Sequence, residues 1–133
     1  MKHPAPINEE VFFDGRSLIS ETDTKGIITF VNRKFSEMSG YSKEEVIGQP
    51  HSILRHPDMP KAAFEGMWKI IQEGKIWEGY VKNLRKDGKF YWVIVNIVPK
   101  KDEAGEIIGY IASRKVPDRN RIKSIEQQYQ QMI

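Results

Sequence analysis

At 133 residues the chain has room for one core and a short extension, so neither a second domain nor a large enzyme is expected. It contains 0 cysteines, which excludes disulfides, thiolate metal sites, iron–sulfur clusters and cysteine nucleophiles. The net charge is +3, with Lys and Arg interspersed among Asp and Glu, which is not the basic footprint of a nucleic-acid binder.

No run of about 18 apolar residues occurs and no apolar leader follows Met1, so a soluble, cytoplasmic chain is expected. Residues 1–15 read as a loose N-terminal arm anchored by Phe12 and Phe13, suited to packing or a dimer contact. Leu18 and Ile19 begin a short strand, Asp23-Thr24-Lys25-Gly26 forms a turn, and Ile27 to Val31 form a second strand. Asn32 opens a short helix that places Phe35 and Met38 on one side and stops at Gly40. Ser42-Lys43-Glu44-Glu45 is a capping-box pattern that opens another short helix, stopped by Gly48. Gln49 to Pro60 holds three prolines, two histidines and one arginine; the prolines forbid a long regular helix there.

From Asp58 the signals for a longer helix agree. An acidic residue and Pro60 stand at its entry, Ala63, Phe64, Met67, Trp68 and Ile71 lie along one face, and Gly74 marks the exit. Strands are predicted over Trp77 to Arg85, Lys89 to Pro99 and Glu106 to Lys115, joined by turns at Lys86-Asp87-Gly88 and Asp102 to Gly105. Asp118 caps a final amphipathic helix carrying Ile122, Ile125, Tyr129 and Ile133. The sum is an α+β layout with a five-stranded antiparallel sheet, short helices on one face and a C-terminal connector helix. The domain boundaries follow as an arm over 1–15, a core domain over 16–117 and a connector over 118–133. A cleft between the sheet and the short helices is the natural ligand site.

Alternation along the first long strand puts Trp77, Gly79, Val81 and Asn83 on one face, with Glu78, Lys82 and polar surface opposite. Asn83 thus falls on an apolar face, where its amide must find partners: a ligand edge offering both acceptors and a donor, or a loop or water. Arg55 carries a planar fork of donors suited to a phosphate or hydroxyls, and a solvated surface pair is its other reading. Asp58 reads as a helix cap. His51 and His56 read as cavity contacts, haem ligands or residues bonded to backbone. Trp77 offers a broad face for stacking, and Trp68 reads as core. Trp92 shares a strand face with Asn96 and points outward, toward the arm or a dimer mate. There is no paired acid and base, no nucleophile constellation and no Gly-x-Gly-x-x-Gly loop, so an enzyme is not expected.

The order of elements, with Asn32 to Tyr41, Gly48 and Lys86-Asp87-Gly88, resembles a PAS domain. Gly48-Gln49-Pro50-His51, then Arg55-His56-Pro57-Asp58-Met59-Pro60-Lys61-Ala62-Ala63-Phe64, Trp77-Glu78-Gly79 and Val81-Lys82-Asn83 resemble the FAD-binding PAS domain of bacterial aerotaxis receptors. This resemblance spans roughly residues 10–118. It implies FAD as cofactor, held by Asn83, Trp77, Arg55, His51, Asn32, His56, Asp58 and Arg114. It also implies a redox or oxygen sensor for energy taxis, a homodimer formed through the arm and the C-terminal helix, and a downstream chemotaxis signalling domain or protein. In the more distant light-sensing flavin PAS domains, an asparagine at the place of Asn83 contacts the ring. Their photoreactive cysteine falls at His51, a second asparagine at Val93 and a glutamine at Arg114, so adduct chemistry is out and those contacts do not transfer intact; Arg114 either reaches the flavin or forms a surface salt bridge. A haem-binding gas sensor using His51 or His56, and a ligand-free dimerisation module, remain as alternatives.

Overall fold

The computed structural model describes residues 3–133. Its first hairpin consists of β1 (Ile19–Thr22) and β2 (Ile28–Val31). Asp23 closes the turn, its Oδ1 accepting from the backbone N–H groups of Lys25 and Ile27 at 2.8 and 3.0 Å, the local bonding that makes aspartate a turn residue. Asn32 caps α1 (Arg33–Ser39) by accepting from Phe35 N. Ser42 and Glu45 complete the capping box of α2 (Lys43–Val46), each satisfying an N–H the helix leaves free. A 3-10 turn, His51–Leu54, leads to α3 (Lys61–Gln72). Then come β3 (Trp77–Leu84), β4 (Phe90–Lys101), β5 (Ile107–Lys115) and α4 (Arg119–Gln131).

The sheet order is β2-β1-β5-β4-β3, and every neighbouring pair is antiparallel. This is the expected α+β arrangement. The inner face carries the larger core, with Phe35, Leu54, Ile71, Val93 and Tyr91 among its buried members. The outer face carries a second core in which Tyr80, Phe90 and Trp92 are packed by Ile122 and Ile125 of α4. Among the described residues no helix is long and apolar enough to cross a membrane.

Several expectations need correction. Trp92 does point away from the inner face, but it is 3% exposed because the chain's own α4 covers it, not the arm or a second copy. The outer face of β3 is not polar surface either: Lys82 is 7% exposed there, its stem packed and its ammonium paired as long cationic side chains permit. Asp58 does not cap α3. That helix begins after Pro60, with no side-chain cap, and the Asp58 carboxylate bonds Lys82 instead. The arm pairs with the start of β4, Val11 N donating to Phe90 O at 2.8 Å and Phe90 N to Glu9 O at 3.1 Å. Of its two phenylalanines, Phe13 enters the core and Phe12 stays exposed.

Candidate functional site

Helix α3 stands off from the sheet. Of its apolar stripe only Ile71 is fully buried, while Phe64, Met67 and Trp68 remain partly open. Between them and the inner faces of β1, β3, β4 and β5 lies a cavity of about 290 Å³, near the lower end of the range for small-molecule sites. Two glycines shape its walls. A Cβ at Gly79 would lie 2.5 Å from the Trp77 indole, which folds across that backbone, and a Cβ at Gly26 would lie 2.8 Å from Trp68. Gly26 also has φ +83°, a conformation that costs other residues energy. Trp68 in turn meets Tyr110 edge-on, with ring centroids 5.6 Å apart.

The polar side of the cavity is built on Arg114. This guanidinium is 6% exposed and, among the described residues, forms no salt bridge. Its Nη1 donates to Ser20 Oγ at 2.9 Å and Ala112 O at 3.1 Å, and its Nη2 lies 3.0 Å from His51 Nε2. Its Nε is buried without a partner. Burial lowers the Arg114 pKa to about 10. Burial, helped by the neighbouring Arg114 charge, pushes His51 down to about 3, so this imidazole is neutral at pH 7. Nε2 then accepts from the guanidinium, and the ring proton sits on Nδ1.

Asn83 faces the cavity from β3, directly across from Tyr91 of β4. Its amide lies against the Tyr91 hydroxyl without completing a hydrogen bond of good geometry, and that hydroxyl is buried and unpartnered. Arg55 reaches the cavity with its guanidinium carbon 3.9 Å from the Phe64 ring centroid, and its Nε too is buried without a partner. Unpartnered donors of this kind are rare in a folded interior, and each calls for an acceptor from outside the chain. The donor set, the amide and the aromatic walls fit a planar heteroaromatic ring edged with carbonyl oxygens. Among the described residues no group of three or more His, Asp or Glu is placed to hold a metal ion.

Five of the eight residues singled out from the sequence line the cavity: Asn83, Trp77, Arg55, His51 and Arg114. Three do not. Asn32 is consumed by the fold, its Oδ1 accepting from Ile19 N and Phe35 N and its Nδ2 donating to Ser17 O. The His56 ring turns away toward Phe90, with its Nδ1 accepting from Asp58 N at 3.0 Å. Asp58 pairs with Lys82 on the outer face of β3, and that bond holds its carboxyl below the usual range. Sequence reasoning missed Ser20, which anchors the buried guanidinium; Trp68, read as core, does pack against the core and also forms a cavity wall. Continuing the alternation from Leu18 through Ser20 to Thr22 would have pointed Ser20 inward.

The model of the PAS fold matches residues 28–114, the stretch from β2 to the Arg114 end of β5. The chain belongs to the PAS-fold family. It is 46% identical over 116 residues to the aerotaxis receptor of Escherichia coli K12, covering 87% of this chain and 23% of that protein. It is 30% identical over 97 residues to the nitrogen fixation regulatory protein of Klebsiella pneumoniae, covering 73% of this chain and 20% of that one. The PAS domain described here therefore spans about a quarter of these relatives or less. A structure of the blue-light photoreceptor Aureochrome1 LOV in its light state superposes with a TM-score of 0.74 at 22% identity, covering 84% of this chain and 90% of that one.

Proposed function

We propose that this PAS domain binds a flavin, specifically FAD, in the cavity under α3, and that it reports the flavin's redox state as a sensor module for aerotaxis or energy taxis. The observation that carries this reading is Arg114, a buried cation at the cavity wall with a free Nε and no carboxylate partner. An isoalloxazine supplies what that environment lacks, namely a flat apolar body and a pyrimidine edge of carbonyl acceptors around an N–H donor. Asn83 would bond that edge, Trp77 and Trp68 would bound the ring, and Arg114 would sit where negative charge is favoured. The cavity volume suits the ring. The remainder of the cofactor would leave past Lys25, Ser52 and Arg55 at the rim, whose cations suit a diphosphate.

The 46% identity to a protein named as an aerotaxis receptor supports the signalling role. Bound flavin supplies one- and two-electron chemistry; the domain's part is to hold the ring and to change its own hydrogen bonds with the ring's charge. The arm and α4, joined by a bidentate bond from Arg119 to Glu10 at 2.6 and 2.8 Å, are the surfaces offered to a second copy or to a chemotaxis signalling partner. The domain limits proposed with this reading are an arm over 1–15, a sensor over 16–117 and a connector over 118–133.

The test is to release the chromophore from purified protein and identify it by mass and absorption. FAD is the expected species, and recovery of FMN would overturn the finer assignment. A Soret band would replace the flavin with haem. A colourless protein that takes up neither FAD nor FMN on refolding would end the reading.

A further inference from the structure

On the outer face of β3 the structure spends an unusual amount of bonding on one lysine. Lys82 Nζ donates to Asp58 Oδ2 at 2.9 Å and lies 4.4 Å from the Phe90 ring centroid. Its backbone is engaged as well: Lys82 N donates to Met59 Sδ at 3.5 Å, and Lys82 O accepts from His56 N at 3.4 Å. Lysine is almost never this deeply buried unless paired. β3 is an edge strand, and residues 55–59 wrap around its free edge. Arg55 forms a backbone bridge with Asn83 and lines the cavity, whereas Asp58 comes down on the other side.

Successive strand residues point to opposite faces, so a single peptide unit separates the Asn83 amide in the cavity from the Lys82 ammonium under α4. There Asp58 and Lys82 border a narrow crevice with Glu126 and Tyr129 of α4. The Tyr129 hydroxyl donates to Tyr80 O at 2.5 Å, and Asp118 N donates to the Tyr80 hydroxyl at 3.3 Å, so α4 is bonded to the same strand.

We infer that Lys82 is a positioning residue which, with Asp58, clasps the 55–59 segment around the edge of β3 and so couples Arg55 and Asn83 in the cavity to the docking of α4. The cavity half of the inference rests on the flavin reading; the clasp itself rests on the fold alone. It also gives His56 and Asp58, which do not reach the cavity, a route by which they bear on it.

The experiment uses the full chain with three substitutions at the clasp: Lys82→Met, Asp58→Asn and Lys82→Arg. Backbone hydrogen exchange is read without ligand at 55–60 and 119–131, and affinity for FAD is read by fluorescence titration. Lys82→Met and Asp58→Asn should speed exchange in both segments and weaken FAD binding about tenfold, a middling value for coupling between sites. Lys82→Arg, which keeps the cation, should retain both properties, as should Glu78→Gln, which breaks an exposed pair on the same strand. Should Lys82→Met not fold, Asp58→Asn decides, because that side chain is 67% exposed. Faster exchange confined to 55–60, with α4 unaltered, would sink the coupling, and unaltered exchange in both segments would sink the clasp. If the unsubstituted protein binds no flavin, the functional reading fails and the exchange result still judges the clasp.

Discussion

The two faces of the β3–β4 hairpin are finished to different standards. Outside, α4 fills the surface: Trp92 and Phe90 are covered, Lys82 has its carboxylate, and the Tyr129 hydroxyl has its carbonyl. Inside, on the opposite face of the same strands, a cavity remains and the Nε atoms of Arg55 and Arg114 and the Tyr91 hydroxyl have no partners. A chain that satisfies polar groups so thoroughly on one face leaves them open on the other because something else is to satisfy them. The contrast separates packing from ligand reception on a single pair of strands.

Substitutions on the two faces should therefore differ in kind. Trp92→Ala, on the finished face, should cost about 3–5 kcal/mol of unfolding free energy, as other large-to-small aromatic replacements in cores do. Chemical denaturation measures it, and a loss under about 1 kcal/mol would mean that α4 is not docked in solution as described. Arg114→Met, on the open face, should go the other way. It removes a buried cation that lacks a counter-charge, so the ligand-free protein should gain about 1–3 kcal/mol while flavin uptake is lost. Equal destabilisation with retained flavin would erase the distinction between the faces.

Acid provides a third probe. His51 has its folded pKa depressed to about 3 from 6.5, so its contribution to stability is fully present above pH 6.5 and is lost as pH falls toward 3. The unfolded chain takes up the proton first. The loss between pH 7 and pH 5 should be about 1–2 kcal/mol. It should flatten in His51→Gln, read from urea midpoints at the two pH values; parallel profiles would remove His51 from the buried network. The smallest effect is expected at Gly79. Gly79→Ala drives a methyl toward the Trp77 indole, which can swing outward, so stability should fall by about 1 kcal/mol and the flavin absorption band should shift as the ring loses that wall. An unchanged spectrum would place the ring elsewhere.

What could be read in advance was what is local. The Asn32 cap, the Ser42–Glu45 capping box and the alternation that carries Trp77, Val81 and Asn83 inward each depend on residues within a few positions of one another. Arg114 shows the limit: alternation with Ala112 points it inward, yet nothing nearby in sequence says whether a carboxylate waits for it. Asp58 and Lys82 show it more sharply. They are 24 positions apart and meet only because the 55–59 segment folds around an edge, so the aspartate passed for a helix cap and the lysine for solvent-facing surface. Charged residues in a strand are read as exposed on average, and the exceptions are set by tertiary pairing.

Helix α3 carries a thermodynamic corollary. With one side chain fully buried along 12 residues, it gains little from contact with the sheet and should be among the first segments to open by local unfolding when the cavity holds only water. Whatever fills the cavity supplies the missing floor beneath Phe64, Met67 and Trp68. The helix and its guest then fold as one cooperative unit, and tight binding and a late-melting α3 become two readings of the same free energy.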